Sequence, residues 1–304
     1  MSKLLAILFA ALTIASVQAK EVVTINYAFS QADSMANYTR TLVEEANKQQ
    51  DKYTFVFDTK PGAGGAIVAN WVKSNPTNGI AMTSSAFFIR PNFYPNESYD
   101  IADFKELLPE CNAPIAISSV KYKSFKDIPA NTPFTIGVSG LGVTTHLVAL
   151  QLTAKYPNLK VVPFKSTTDG LLSMIGGNID MSVSFLSEPE EWAKDGSKVR
   201  VNIIGITGDH AIHGHPTLAS QGLPKKLESL NAPHHLIVSS KVPDDKFKEW
   251  RAILVKAAKT KSVQASYAVD SCDPLNTIPD SDIQPWFNMQ NSRWKELTYG
   301  VKLN

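Results

Sequence analysis

A glycine-rich segment at residues 60–69 has the composition of a loop that binds anions. It reads Lys-Pro-Gly-Ala-Gly-Gly-Ala-Ile-Val-Ala and joins a β-branched and aromatic run, residues 53–57, to an apolar stretch that continues through Trp71. Glycine lets the backbone turn sharply into a helix, whose first N–H groups attract negative charge. No Lys-Ser or Lys-Thr pair follows, and Ile67 replaces the third glycine of Gly-x-Gly-x-x-Gly. The segment favours anion binding and indicates a nucleotide only weakly.

Hydroxyl and amide side chains recur where predicted β-strands end. The carboxyl ends of strands in open α/β sheets face ligand crevices, and hydroxyl and amide groups both donate and accept hydrogen bonds. Beside helix N-termini, such groups suit a carboxylate. The candidate ligand-binding residues are Phe29, Ser30, Gln31, Thr83, Ser84, Ser85, Ser139, Thr144, Thr145, Phe164 and Ser184.

Some of these candidates also have a purely structural interpretation. Thr144 or Thr145 could cap the helix that follows, an interaction worth about 1 kcal/mol, and one hydroxyl can cap while its neighbour faces a ligand. Phe29 and Phe164 could stack on a planar ligand, but aromatic residues beside strands more often belong to the core. The sequence leaves these alternatives open.

The remaining reactive residues do not form a recognisable metal or catalytic site. His210, His213 and His215 lie in a loop with glycine and proline, without matching cysteines or a His-Glu-x-x-His helix. No Gly-x-Ser-x-Gly nucleophile elbow occurs, and the acidic run at residues 188–191 is typical of a solvated helix start. We therefore expect a protein that is not an enzyme and that has no catalytic residue, metal or cofactor.

The N-terminus has the pattern of an export signal. Lys3 gives a basic start, residues 4–17 are predominantly apolar, and Val17-Gln18-Ala19 is a small-residue cleavage site. The apolar stretch is shorter than the roughly 20 residues of a membrane-spanning helix, so cleavage after Ala19 is favoured over a retained anchor. We expect a soluble periplasmic protein that begins near Lys20.

Composition restricts the function further. The 304-residue chain is 43% hydrophobic and 19% charged, its formal net charge is +2, and no Lys/Arg cluster alternates with aromatic residues. These features do not indicate nucleic-acid binding. The chain without its signal is longer than a typical single domain, which favours two lobes. Cys111 and Cys272 could form a disulfide or remain free buried thiols, because sequence separation does not report proximity.

Short β-rich runs alternate with helical patterns, which predicts an α/β fold with mixed, mostly parallel sheets. Strands are predicted at residues 22–29, 53–57, 80–83, 134–138, 159–163, 181–185 and 201–206, and helices at 35–48, 67–73, 144–155 and 170–175. Two similar passages, residues 112–119 and 231–240, are predicted to cross between the lobes as extended segments and to form a hinge. A chance likeness of two short passages is the alternative.

The crossings would divide the chain into a signal at 1–19, a discontinuous lobe 1 at 20–112 plus 235–304, and lobe 2 at 113–234.

Several passages, taken together, also resemble one family. They are Arg40, residues 61–65, Tyr94-Pro95 before Tyr99-Asp100, Asp103-Phe104, Gly140-x-Gly142 with residues 145–147, residues 162–165, residues 176–180, and Pro216-Thr217 before residues 222–224. In this order they cover nearly the whole chain after the signal, and they resemble the Bug-type extracytoplasmic solute receptors of tripartite tricarboxylate transporters.

The resemblance implies a two-lobed periplasmic-binding-protein (Venus-flytrap) fold that closes on a small carboxylate and works with a two-part membrane permease. The chain departs from the family pattern at the expected pocket. Residues 30–34 replace a proline- and glycine-rich loop, Leu141 replaces an asparagine, and residues 183–185 replace a Phe-Asp-Asn-like strand end. Asp33 would repel a carboxylate unless it points outward or binds an amino group, so the identity and charge of the ligand stay open.

The sequence therefore predicts a monomeric periplasmic receptor that captures a small organic carboxylate and delivers it to the permease. One alternative is a secreted enzyme that uses the same cleft, and another is a sensor module whose loaded form contacts a membrane signalling protein. The missing nucleophile and base argue against the enzyme. Transport and sensing are not distinguished by the sequence.

Overall fold

The computed structural model describes residues 19–31, 33–94, 96–129, 131–194 and 199–303. The expected export signal therefore lies outside the described residues except for Ala19. Within the described ranges, no helix has both the length and the apolar character that crossing a membrane requires.

Strands and helices alternate through most of the chain. The strands are β1 (Glu21–Tyr27), β2 (Tyr53–Thr59), β3 (Gly79–Ser84), β4 (Phe104–Ala113), β5 (Ile115–Ser119), β6 (Phe134–Val138), β7 (Leu159–Pro163), β8 (Met181–Phe185), β9 (Asn202–Ile206), β10 (Ala232–Ser239) and β11 (Asp273–Pro274). The α-helices are α1 (Ser34–Lys48), α2 (Ala66–Ser74), α3 (Ala86–Phe93), α4 (Thr144–Thr153), α5 (Thr167–Ile175), α6 (Ser187–Ala193), α7 (Asp244–Ala258), α8 (Lys261–Val269) and α9 (Ile283–Thr298).

Two sheets divide the fold into two lobes. Lobe 1 contains the sheet β11-β4-β10-β3-β1-β2, and lobe 2 contains the sheet β7-β6-β8-β5-β9. The predicted two-lobed α/β fold is confirmed, but the sheets are evenly mixed rather than mostly parallel. β1 and β6 pair in parallel with both of their neighbours, whereas β10 and β5 pair antiparallel with both of theirs. The difference arises because the two strands that adjoin the crossings run against the strands of the βαβ units.

The central strands carry the core. β3, β5, β8 and β10 are buried at every residue, as expected for strands flanked by other strands and covered on both faces. The largest fully buried side chains include Trp250 of α7 and Trp294 of α9, which belong to helices of lobe 1. A rigid sheet in each lobe therefore fixes where the strand ends lie.

The chain passes between the lobes at two adjacent points. β4 ends at Ala113 and β5 begins at Ile115, so Pro114 is the first crossing, and Asn231 immediately before β10 is the second. The Ile115 N–H donates to Thr207 Oγ1 at 2.9 Å, and the Thr207 hydroxyl donates to Asn231 Oδ1 at 2.6 Å. One threonine thus joins the two crossings.

Both crossings lie within the two passages that the sequence singles out, residues 112–119 and 231–240. Ala113 and Ala232 pair with each other in the lobe 1 sheet. The predicted lobe boundaries are 112/113 and 234/235. Pairing in the lobe 1 sheet ends at Ala113, one residue after the first of these, and resumes at Ala232, three residues before the second. The division into 20–112 plus 235–304 and 113–234 stays a prediction for the units that move.

Cys111 and Cys272, which the sequence leaves either free or paired, form a disulfide. Their Cα atoms are 5.4 Å apart, and β11, directly after Cys272, pairs with the end of β4. The bond therefore fastens the strand that leads into the first crossing to the C-terminal part of lobe 1.

Candidate ligand-binding site

A small cavity lies between the two lobes, beside the crossings. Its lining comes from lobe 1 (Tyr27, Phe29, Asp33 and Ser84), from the strands next to the crossings (Ile115 and Ala232) and from lobe 2 (Ser139, Val143, Thr144, Thr145, Thr167 and Phe185). Its volume is about 20 Å³, close to the minimum for a single water molecule. The two lobes are thus closed tightly on each other in this structure.

The cavity lies where strands of both sheets end. Tyr27, Ser84 and Phe185 are the last residues of β1, β3 and β8, and Ser139 directly follows β6. The first residues of α4 and α5 also belong to the lining, so the N-termini of two helices border the cavity. Hydroxyl groups and helix N-termini together favour negative charge.

Five of the candidate residues from the sequence line this cavity. They are Phe29, Ser84, Ser139, Thr144 and Thr145. All five follow from the same physical rule, that side chains at the carboxyl ends of strands and at the next helix start face the crevice. The structure thus brings together residues that are up to 116 positions apart in the chain.

The other candidates do not belong to the lining. Thr83 and Ser184 are fully buried within β3 and β8, and Phe164 packs against a separate core cluster of lobe 2. Gln31 is exposed, and Ser30 precedes it in the same turn. Alternation along a strand separates Thr83 from Ser84, because successive side chains point to opposite faces.

The sixth candidate outside the lining, Ser85, instead connects the lobes. Its hydroxyl forms a hydrogen bond with the hydroxyl of Thr144, and both side chains are buried. The Ser85 N–H also donates to the carbonyl oxygen of Pro233 at 3.1 Å, next to the second crossing. Ser85 therefore contributes to closure rather than to the cavity wall.

The lining also contains residues that the sequence does not single out. Tyr27 ends β1 two residues before Phe29, Thr167 begins a helix, and Ile115 and Ala232 adjoin the crossings. The sequence could have identified Thr167 as a lining residue, because it lies between a predicted strand and the predicted helix that follows. The sequence offers no comparable indication for Ile115 and Ala232, since a position beside a predicted hinge does not by itself indicate contact with a ligand.

The turn before α4 is held by side chains rather than by a helix cap. The Ser139 N–H donates to Thr145 Oγ1 at 3.1 Å, and the two hydroxyl oxygens are 2.9 Å apart. The N-cap residue of α4 is Val143, and no side chain caps this helix, so neither threonine has the capping role. The Gly142 N–H donates to His146 Nδ1 at 3.1 Å, and burial lowers the pKa of His146 to about 4. His146 is therefore neutral and structural near pH 7.

The glycine-rich loop does not line the cavity but permits the lobes to meet. Gly64 has a φ of 55°, and a Cβ there would lie 2.8 Å from the Arg90 side chain and 3.3 Å from that of Val143. Gly142 has a φ of 70°, and its Cβ would lie 2.9 Å from the Tyr94 ring. Glycine therefore allows the close approach to Arg90 within lobe 1 and the approaches to Val143 and Tyr94 across the lobes.

Asp33 is the one carboxylate among the described residues that line the cavity. Only 2% of Asp33 is exposed, the Tyr27 hydroxyl donates to its Oδ2 at 3.3 Å, and its Oδ1 has no hydrogen-bond partner. Burial raises the pKa of Asp33 to about 7, the Tyr27 hydrogen bond partly offsets this, and the charge of Asp169 raises it again. The side chain points inward, toward the cavity, and not outward.

The histidines do not assemble a metal centre. His213 Nδ1 and His215 Nε2 lie 2.8 and 3.2 Å from the same Glu190 oxygen, on a loop of lobe 2. In the described part of the chain, the group whose spacing would suit a metal is Cys111, His234 and Cys272. Its two sulfurs are joined in the disulfide, which leaves no thiolate to bind an ion.

Comparison with known proteins connects this architecture to a family. The sequence profile described as "Tripartite tricarboxylate transporter family receptor" matches residues 38–297. A UPF0065 protein from the clcB-clcD intergenic region of Pseudomonas knackmussii is 26% identical over 163 residues, which are 49% of this chain and 92% of that protein.

Solved structures with the same fold include periplasmic receptors. The periplasmic binding protein BugD is 19% identical, with a TM-score of 0.80 over 92% of this chain and 97% of that one. MatC from Rhodopseudomonas palustris, solved with bound malate, is 16% identical, with a TM-score of 0.79 over 91% of this chain and 98% of that one. These likenesses establish the fold, and the family profile spans most of the chain. The protein therefore belongs to the receptor family of the tripartite tricarboxylate transporters, a family of solute-binding receptors and not of enzymes.

Proposed function

We propose that this protein is a periplasmic receptor that captures a small organic carboxylate between its lobes and delivers it to a tripartite tricarboxylate-type membrane permease. The observation that carries the proposal is the interlobe cavity, where hydroxyl groups and two helix N-termini converge. MatC, a relative in fold, holds malate. Export after cleavage at Ala19 and a monomeric state complete the proposal.

Ligand uptake on this scheme requires the lobes to separate. A dicarboxylate needs far more room than about 20 Å³, so it enters only after rotation about Pro114 and Asn231. Closing then brings the hydroxyls of both lobes onto the solute. The hydrogen bond between Ser85 and Thr144 lies on the path of this motion and is broken when the lobes open.

Binding without chemistry tests the proposal. Native mass spectrometry of the chain without its signal should show one small carboxylate per molecule, released unchanged, with the same affinity after chelator treatment. Solution scattering of the same samples should give a smaller radius of gyration with ligand than without. Chemical conversion of the bound carboxylate, or loss of binding with the chelator, would contradict a receptor.

Replacing Thr145 with valine should weaken carboxylate binding by about 1–3 kcal/mol, because the Ser139 N–H would lose its acceptor beside the cavity. Isothermal titration calorimetry measures the change. Thr153→Val is the matched control, since its hydroxyl bonds only to the Leu150 carbonyl oxygen near the other end of α4. Equal affinities for the two variants would place the ligand elsewhere.

A further inference from the structure

We propose that Asp33 makes this receptor selective for a carboxylate that also carries a protonated amino group, with the ammonium bound at Asp33 Oδ1. This inference rests on the proposed function and specifies its ligand. It concerns the sequence segment at residues 30–34, where the chain departs from the family pattern.

The geometry leaves Asp33 Oδ1 available and directed. Asp33 is the N-cap residue of α1, but its side chain makes no cap hydrogen bond. The Tyr27 hydroxyl holds Oδ2, and the Asp33 N–H donates to the Ser30 carbonyl oxygen at 3.1 Å, which fixes the turn. Arg40, the nearest cation of α1, bonds instead to the carbonyl oxygen of Gln31 at 3.0 Å. Since a buried polar atom without a partner is costly, Oδ1 is a ready acceptor for a donor inside the cavity.

The charged groups in and around the cavity favour a positively charged donor at Asp33 Oδ1. None of the described residues that line the cavity is lysine, arginine or histidine. Beyond the lining, the charge of Asp169 acts on Asp33, and the charges of Glu188 and Asp270 act on Tyr27. A solute with only carboxylates would add negative charge to this group, whereas an ammonium would neutralise part of it. Helix N-termini and hydroxyls remain for the carboxylate end of the solute.

The pH dependence of binding distinguishes these two kinds of solute. Without ligand, the pKa of Asp33 is about 7, so Asp33 is mostly protonated at pH 5.5 and mostly ionised at pH 8. An ammonium binds the ionised form, so its affinity should rise with pH, by up to about 30-fold between these values. A plain carboxylate favours the protonated form, and its affinity should fall.

Three titratable groups near Asp33, namely Tyr27, His146 and His234, do not change charge in this range and so do not produce this slope. Burial raises the pKa of Tyr27 in β1 well above 10, so its hydroxyl keeps its proton between pH 5.5 and 8. Burial lowers the pKa of His146 in α4 to about 4 and that of His234 in β10 to about 3, so both are neutral at pH 5.5 and above.

Matched solutes provide the experiment. Isothermal titration with L-alanine and propionate, L-aspartate and succinate, and L-2-aminoadipate and adipate compares acids that differ by one amino group. In the pair that fits the cavity, the amino member should bind at least about tenfold tighter, as expected for a charge-assisted hydrogen bond. The Asp33→Asn variant should lose this preference and the pH dependence, whereas Asp51→Asn, at an exposed site remote from the cavity, should keep both.

Each outcome decides one point. Equal or tighter binding of the acid without the amino group, or an affinity that falls as pH rises, overturns the role of Asp33 and leaves the proposed function standing. Binding of neither member of any pair contradicts the proposed function itself. The pH titration uses the unaltered chain, so the test holds even if Asp33→Asn does not fold.

Discussion

Replacing His235 with alanine is expected to lower the free energy of unfolding by about 3–5 kcal/mol, because the buried Glu106 carboxyl would lose its hydrogen-bond partner and the core would lose a buried ring. His235 Nδ1 lies 2.8 Å from Glu106 Oε2, and neither side chain is exposed at all. Burial raises the pKa of Glu106, and His235 is the largest influence that opposes the rise. The imidazole also stacks on Phe88, with ring centres 5.0 Å apart, so alanine removes packing as well.

Urea unfolding of the unaltered protein and of the His235→Ala variant measures this difference in the free energy of unfolding. His210→Ala is the matched control, because His210 pairs with Asp209 on the surface and both side chains are largely exposed. We expect the control to change stability by less than about 0.5 kcal/mol. A similarly small effect of His235→Ala would show that the pair between β10 and β4 contributes little to the strands that lead to the crossings.

Removing the disulfide is expected to destabilise the protein by about 2–5 kcal/mol. Cys111 and Cys272 are 161 positions apart, so the bond closes a long loop and strongly restricts the unfolded chain. The double variant Cys111→Ala and Cys272→Ala should therefore unfold at a lower denaturant concentration than the unaltered chain. Because both cysteines are buried, the bond is accessible to reductant mainly after unfolding.

Unfolding with and without reductant provides the control for this prediction. Reductant should shift the midpoint of the unaltered chain toward that of the double variant, while the double variant itself should not respond. A midpoint of the unaltered chain that is insensitive to reductant, or a double variant of equal stability, would contradict a stabilising disulfide. In the double variant, the free energy of ligand binding should change by less than the free energy of unfolding, since neither cysteine lines the cavity.

Both of these interactions lie on the strands that adjoin the two crossings. β4 carries Glu106 and Cys111 toward the first crossing, and β10 carries His235 away from the second. A hinge functions best when the segments on either side of it are rigid, because rotation is then confined to a few residues. We expect the buried pair and the disulfide to give lobe 1 this rigidity next to Pro114 and Asn231.

The sequence determined most of the local structure. β6, β7 and β8 begin and end at the predicted residues, and the other predicted strands and helices differ by a few residues. Local periodicity sets these elements, because side chains repeat every two residues in a strand and every 3.6 in a helix. The same local order placed Ser84, Ser139 and Thr145 at the crevice, since Ser84 ends β3, Ser139 directly follows β6 and Thr145 lies in the first turn of α4.

Only the tertiary structure decided the features that depend on distant segments. The disulfide required β11 to pair with β4, the mixed sheets required the chain to return antiparallel at the crossings, and the contact of Ser85 with Thr144 required the two lobes to pack together. The orientation of Asp33 likewise depended on the Tyr27 hydroxyl and on burial between the lobes. Sequence spacing carries no direct measure of such distances. Packing therefore placed the carboxyl group of Asp33 at the cavity, although the sequence already showed an aspartate at this position.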